Sequence, residues 1–591
     1  MNKYFKRLKF SEISSKSIVL GNIILFGIIF LTNSMIRFDN QIFTCSFWLL
    51  CDNKVNSPIH NLITFQLMIS VMGFVVLLFL NQQRDFSKLG KQNRFFYFLI
   101  FLLSFTMIIN SLFNLFSLQI RILLQIFLSL IIAVILTYFL VETDKQNQKR
   151  SGLVSAFHKN VTLLTISSFL MIILGVLTSF LDSSLICQQF PLCFMEDGFR
   201  LEIMIVNLHR IMTFLTGLLL IILFNQIWKK YRENLPLVIS ITMSLTIFIG
   251  QSLIGIIQIF KNFDQNLLFI HSTSSFLFAL LIFYLFRNSV GVDDISERYP
   301  KTFFNDSKRR KDYLVLNKPI IVALLLVTTY AGMVVGGGEI PSFSLTIWTM
   351  IGGALAAGGA SAINQYIDRE IDSSMQRTEK RPLPSGRLYP SEALAVGIAE
   401  IIISFYVYTA FVNLNAALLA MLGMVYYVFL YSIWLKRLTV QNIVIGGGAG
   451  AIPPLVGWAA ATGGLNIPSI FLFALVFLWT PPHFWALALV RKNDYARAKI
   501  PMMPVIEGEK KTRFQILIYT IQLVVLTLLM PLFGVGGGVY LLFAVLLGLW
   551  LLSTAWQVYK KEGNKIAFKM YRYSSMYLAF IFLALVVDVL I

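Results

Sequence analysis

The chain has 591 residues, 57% hydrophobic and only 13% charged, with a net charge of +20 and a mean hydropathy of +0.74. Soluble proteins carry about 25% charged residues, so the composition excludes a soluble globular protein. Apolar runs of 18 or more residues recur and predict an all-α polytopic membrane protein. The basic excess lies in short loops between these runs, which fits the cytoplasmic bias of Lys and Arg and argues against nucleic-acid binding.

In chain order, eight spans are expected near 17–37, 60–80, 95–117, 119–141, 161–181, 206–227, 237–259 and 268–286. The first follows the basic MNKYFKRLKF without a small-residue cleavage site, so it reads as a retained helix. The long polar stretch Arg287 to Tyr313 marks a boundary. We divide the chain there into a first half (1–290), a basic cytoplasmic linker (291–314) and a second half (315–591). Nine further spans are expected near 319–336, 343–365, 391–411, 414–434, 441–461, 468–490, 515–533, 538–557 and 571–590, about 17 in all.

The basic loops fall at every second connection, which predicts a cytoplasmic N-terminus and an external C-terminus. All four cysteines then lie in two external loops, Cys45 and Cys51 in one, Cys187 and Cys193 in the other. A structural disulfide within each pair, a redox role and cross-pairing all remain open. CSFWLLC precedes His60 and CQQFPLC precedes His209, so the first half reads as a duplicated four-helix unit.

The stretch INQYIDREIDSSMQRTEKRPLPSG, Ile363 to Gly386, is cytoplasmic by the same charge pattern. Asn364, Asp368 and Asp372 are spaced i, i+4, i+8 and share one helix face. Two carboxylates and an amide make a hard oxygen site suited to magnesium. Arg377, Lys380 and Arg381 beyond the helix end could hold a diphosphate. A plain juxtamembrane loop explains the triplet equally well. A second cytoplasmic segment, FLWTPPHFWALALVRKNDYARAKIPMMPV, adds His483 in an apolar helix, then Arg491, Lys492, Asp494 and Lys499. The glycine-rich Gly446–Pro454 lacks the lysine and the strand context of a phosphate loop. It reads as close helix packing or as room for a flat macrocycle.

The motifs NQYIDREID, RTEKRPLPSG, YSIWLKRLTVQNIVIGGGAGAIPPLVGWAAATG, WTPPHFWALAL and DYARAKIPMMPV, spread over 315–590, resemble the haem O synthase family of intramembrane UbiA-type prenyltransferases. That resemblance implies a nine-helix half that transfers farnesyl from farnesyl diphosphate to a vinyl group of protohaem IX. It implies Asn364, Asp368, Asp372 and Asp494 as magnesium ligands and Arg377, Lys380, Arg381 and Lys492 as diphosphate ligands. Asp368, Asp372, His483 and Asp494 are the implied catalytic residues. His483 and Asp494 stand where quinone-type members carry a fuller aspartate motif, which favours haem as acceptor.

Five histidines occur: His60, His158, His209, His271 and His483. His158 lies in a basic loop and reads as solvated. His209 and His271 each begin a span, and imidazoles at similar depth on two helices can hold haem iron from both sides. With the cysteine order, residues 15–290 resemble the haem A synthase family, whose eight helices form two four-helix bundles. The resemblance implies haem b at His209 and His271, with His60 as a further haem residue. Ser57 replaces the family's glutamate, and Gln125 lies where a second histidine of the first repeat belongs. Oxidation of haem O toward haem A and simple haem binding both stay open for this half. The implied setting is a bacterial inner membrane, with membrane lipid around the chain. An electron donor and cytochrome oxidase assembly proteins are the expected partners, and homo-oligomerisation is left open. A quinone or lipid prenyltransferase and a membrane transporter are the competing functions.

Overall fold

The computed structural model describes residues 155–591 except 182–186, 188, 195–199, 261–264 and 293–306, with isolated positions 128, 131, 132 and 135 before them. The first three expected spans and all but those four positions of the fourth, together with Cys45, Cys51, Ser57, His60 and Gln125, lie outside the described residues. Among those described, no strand occurs and 13 helices are long and apolar enough to cross a membrane. All 13 coincide with the later spans expected from sequence. The chain divides into two units, 1–299 and 300–591.

In the first unit, α1 (Ala156–Phe180), α2 (Leu201–Lys230), α3 (Leu235–Phe260) and α4 (Gln265–Ser289) form a four-helix bundle. Each helix packs on two neighbours, α1 and α3 both lying against α2 and α4. Trp228 of α2 donates to Thr242 Oγ1 of α3 at 3.0 Å, and His158 Nδ1 meets Ser289 Oγ at 2.7 Å. His158 is thus not a solvated loop residue. It lies in the first turn of α1, packs at a tilt against Phe286 and ties two helix ends together. Cys187 and Cys193 form a disulfide.

The second unit opens with a short helix, α5 (Ser307–Leu316), basic at its start and apolar at its end, where the last part of a linker is expected from sequence. Leu316 is buried, and Arg309 pairs with the buried Glu392 at 2.7 Å, so this segment is docked. Nine long helices follow: α6 (Pro319–Gly337), α7 (Phe343–Asp372), α8 (Pro390–Phe411), α9 (Leu414–Val425), α10 (Asn442–Thr462), α11 (Ile467–Val490), α12 (Gly508–Leu529), α13 (Gly538–Lys560) and α14 (Asn564–Leu590). Helix α9 continues as a π-helix over Tyr426–Leu435. Leu324, Leu546 and Leu549 are exposed apolar side chains that suit contact with acyl chains.

Small residues set the closest approaches. A Cβ on Gly457 would sit 1.9 Å from Thr329 O, and one on Gly332 would sit 2.3 Å from Pro454 O. Helices α6 and α10 therefore touch backbone to backbone. Gly457→Ala is expected to lower stability by about 3 kcal/mol through overpacking. The drop in melting temperature of the purified protein in detergent measures it. An unchanged melting curve means that α6 and α10 can separate freely.

Candidate functional site

Helix α7 is capped at its start by Ser342, whose hydroxyl accepts from Leu345 N–H. Its middle, GGALAAGGASA, lets α8 approach closely, since a Cβ on Gly359 would lie 2.5 Å from Gly397 O. Its last two turns present Asn364, Asp368 and Asp372, all under 5% exposed. The chain then leaves the helix through linked turns in which Thr378 donates to Asp372 O at 2.9 Å. Met375 anchors this loop in the apolar core.

The face is surrounded by cations. Lys436 Nζ lies 2.5 Å from Asp368 Oδ2, and Arg381 Nη1 lies 2.6 Å from Asp372 Oδ2. Lys318 Nζ donates to Asn364 Oδ1 at 3.1 Å. Asn364 in turn donates to Asp368 Oδ2 at 2.8 Å and to Ser432 Oγ at 3.0 Å. Asp368 Oδ1 is buried and has no hydrogen-bond partner. An ionised carboxylate oxygen in that state is costly and calls for a bound cation. Two carboxylates and an amide with one open oxygen fit magnesium, which takes few protein ligands and completes its shell with phosphate and water. Among the described residues, no three His, Cys, Asp or Glu side chains form a closed metal cage.

Three cations thus meet two carboxylates. Burial and the neighbouring Arg381 and Lys436 pull the Lys318 ammonium down to about 7, against the opposing pull of Asp372 and Asp368. An added anion relieves that crowding.

Lys318 and Lys436 were not singled out in the sequence. Lys318 precedes Pro319 at the α5–α6 junction, in a left-handed conformation with φ of 46°. Lys436 follows the π-helical stretch, where Ser432 Oγ donates back five residues to Tyr427 O at 2.9 Å. π-helical segments are rare and often mark functional sites. Here the wider turn carries Ser432 and Lys436 toward α7.

The second expected segment reaches the same region through tyrosines. Tyr431 lies in the field of Asp368, Arg377, Tyr427 and Tyr495. Tyr495, raised above its ordinary value by burial, is influenced by Arg377, Arg491, Asp494 and Tyr571. Asp494 is buried, with Arg491 and Arg497 each 3.9 Å away. None of its hydrogen bonds or ion pairs joins it to Asp368 or Asp372. Lys492 faces Glu509 at 3.5 Å, and Lys380 is exposed, its carbonyl bound by Arg387. His483 stacks on Trp479 with ring centroids 4.3 Å apart and bonds Ser574 Oγ through Nδ1 at 2.9 Å. Ser574 gives its own proton to Tyr571 O, so His483 Nδ1 is the donor. His483 thereby joins α11 to α14.

The glycine-rich start of α10 is a packing surface. Gly446 faces Tyr431, Gly447 faces Thr480 and Gly448 faces Tyr426, while Gly450 alone has open space beside it.

In the first unit, His209 Nδ1 meets Met171 O at 3.0 Å, and His271 Nδ1 meets Gln251 O at 2.9 Å. A carbonyl only accepts, so each Nδ1 carries the proton and each Nε2 keeps its lone pair. One turn beyond each carbonyl stands a glycine. A Cβ on Gly175 would lie 2.9 Å from His209 Cε1, and one on Gly255 would lie 3.3 Å from His271 Cε1. The two histidines are within each other's electrostatic field. Asn207 holds Cys193 by both its backbone groups, at 2.9 and 2.8 Å, fixing the disulfide loop to the turn that bears His209.

Comparison with known proteins gives two family matches. The UbiA prenyltransferase family matches residues 325–583, and the cytochrome oxidase assembly protein family (COX15-CtaA, the haem A synthases) matches residues 67–285. A protoheme IX farnesyltransferase of Roseiflexus sp. (strain RS-1) is 50% identical over 278 residues, which are 47% of this chain and 52% of that relative. One of Symbiobacterium thermophilum is 50% identical over 281 residues, covering 94% of its length. The chain thus spans about half the length of the first relative and nearly all of the second. The solved digeranylgeranylglyceryl phosphate synthase is 19% identical, with a TM-score of 0.42, over 48% of this chain and 99% of its own. This multi-pass membrane chain belongs, through its C-terminal half, to the UbiA prenyltransferase family and within it to the protoheme IX farnesyltransferases, and it carries a cytochrome oxidase assembly protein domain ahead of that half.

Proposed function

We propose that the second unit transfers the farnesyl group of farnesyl diphosphate to a vinyl group of protohaem IX, giving haem O. The observation that carries this reading is the buried Asn364–Asp368–Asp372 face, with an unpartnered carboxylate oxygen and an excess of cations around it. Magnesium bound at Asn364, Asp368 and Asp372 would neutralise the departing diphosphate. Lys318, Lys436 and Arg381 stabilise the same negative charge as it develops, and Arg377 lies beyond them as a further cation. The apolar walls of α7, α10 and α11 keep bulk water from the allylic cation. His483 and Asp494 stand on the acceptor side, His483 as part of the aromatic wall with Trp479 and Tyr571.

In the first unit, His209 and His271 present two Nε2 lone pairs suited to haem b iron. Their Nδ1 hydrogen bonds to backbone carbonyls fix the ring orientation and raise ligand basicity. This domain would take haem O onward toward haem A, in a bacterial inner membrane with the N-terminus cytoplasmic. Handing a hydrophobic haem between fused domains avoids releasing it.

The test supplies purified full-length protein with labelled farnesyl diphosphate and a choice of acceptors. Label is expected on protohaem IX and not on a benzoate quinone precursor. Transfer to the benzoate alone would sink the haem assignment.

A further inference from the structure

A carboxyl group inside a membrane helix, used by no step above, needs its own account. Glu400 lies ten residues into α8, about 15 Å along the helix. Among the described residues, the hydrogen-bond partner of its side chain is Asn317 Nδ2, which donates to Oε1 at 2.6 Å. Glu400 Oε2 is buried without a partner, and so is Asn317 Oδ1. Two orphaned oxygens on two side chains already joined by one hydrogen bond share a single remedy. A proton on Oε2, donated to Asn317 Oδ1, closes a cyclic acid–amide pair in which both orphaned oxygens gain a partner. An ionised Glu400 leaves both oxygens unsatisfied in an apolar setting, which is strongly unfavourable.

Asn317 is the residue before Lys318. Gly358 leaves room for its amide, since a Cβ there would lie 3.0 Å from Asn317 Nδ2. Lys318 holds a backbone conformation that side-chain-bearing residues seldom adopt, and it persists only where its surroundings fix it. Its ammonium reaches Asn364 on the face read above as the metal–diphosphate site. We propose that Glu400 is held as a neutral carboxylic acid paired with Asn317, and that this pair is a positioning device aiming Lys318 at Asn364 and the diphosphate. The positioning role rests on the prenyltransferase reading; the acid–amide pair does not.

The experiment uses full-length protein in nanodiscs at neutral pH. Infrared difference spectroscopy of wild type against Glu400→Gln reads the carbonyl stretch of a protonated carboxylic acid. That band is expected in the wild type and lost in Glu400→Gln. The glutamine keeps both hydrogen bonds as an amide–amide pair, so farnesyl diphosphate should bind it as it binds the wild type. Glu400→Leu removes both bonds and is expected to weaken farnesyl diphosphate binding about tenfold, the scale of one misplaced charged hydrogen bond. Protohaem IX binding should be unchanged in it. Where Glu400→Leu fails to fold, Asn317→Ala serves as the second probe: it should keep the band but move it to higher wavenumber, because the acid carbonyl loses its hydrogen bond, and it should weaken binding. No carboxylic acid band in the wild type overturns the pair. Unaltered farnesyl diphosphate binding in Glu400→Leu or Asn317→Ala overturns the positioning role. Absence of farnesyl diphosphate binding by the wild type overturns the functional reading and the positioning role together, and leaves the band to decide the pair by itself.

Discussion

Asp368→Asn is expected to lower kcat/KM for farnesyl transfer by about a thousandfold, or ~4 kcal/mol of transition-state stabilisation. Asp368 is the residue on which the site converges. One of its oxygens takes Lys436 and Asn364, and the other is buried and open. An amide at this position offers a neutral oxygen to a cation and leaves Lys436 without a counter-charge. The second effect separates from the first. Stranding a buried ammonium costs about 3 kcal/mol of stability, so thermal unfolding of Asp368→Asn should fall along with its activity. Asp368→Asn combined with Lys436→Met removes both charges and is expected to recover the stability but not the activity. Chelation of divalent metal should abolish wild-type turnover, with recovery on adding magnesium. Turnover by the single variant at the wild-type rate would remove Asp368 from the chemistry, whatever its effect on folding.

His209→Ala should eliminate the six-coordinate haem spectrum of the full-length protein after loading with haem b, because it deletes one of the two Nε2 atoms proposed to hold the iron. A finer test exploits the glycines behind the rings. Gly175→Ala puts a methyl carbon 2.9 Å from His209 Cε1, so the imidazole must move. Its haem affinity is expected to fall about tenfold, as for other losses of support around a metal ligand. Gly255→Ala meets His271 Cε1 at 3.3 Å and should perturb the spectrum less. No effect from His209→Ala would remove the haem assignment, and equal effects from the two alanines would remove the steric ranking of the two contacts. Optical titration and electron paramagnetic resonance of the purified protein measure both.

Much of this was legible without coordinates. Hydropathy located every described span because a bilayer demands about 20 apolar residues per helix, and that demand is one-dimensional. The shared acidic face was legible for the same reason: i, i+4, i+8 is a property of one helix, so the grouping of Asn364, Asp368 and Asp372 needed no tertiary information. The two histidines of the first unit were legible by their type and depth.

Tertiary structure alone decided the rest. Lys318 lies 46 residues before its partner Asn364, and Lys436 lies 68 residues after Asp368, so neither pairing has a local signature. Lys436 also depends on a π-helical turn that a 3.6-residue period does not foresee. Lys492 carries the right charge for an anion site, but folding sets it opposite Glu509. The carbonyls of Met171 and Gln251 that fix the histidine tautomers belong to neighbouring helices and carry no side-chain signal at all. The sequence by itself determined which helices exist and which faces bear charge, since those follow from periodicity along one chain. Only the packed structure decided which charges meet and which buried oxygens are left open, because pairing energy depends on distances between segments that are remote in sequence.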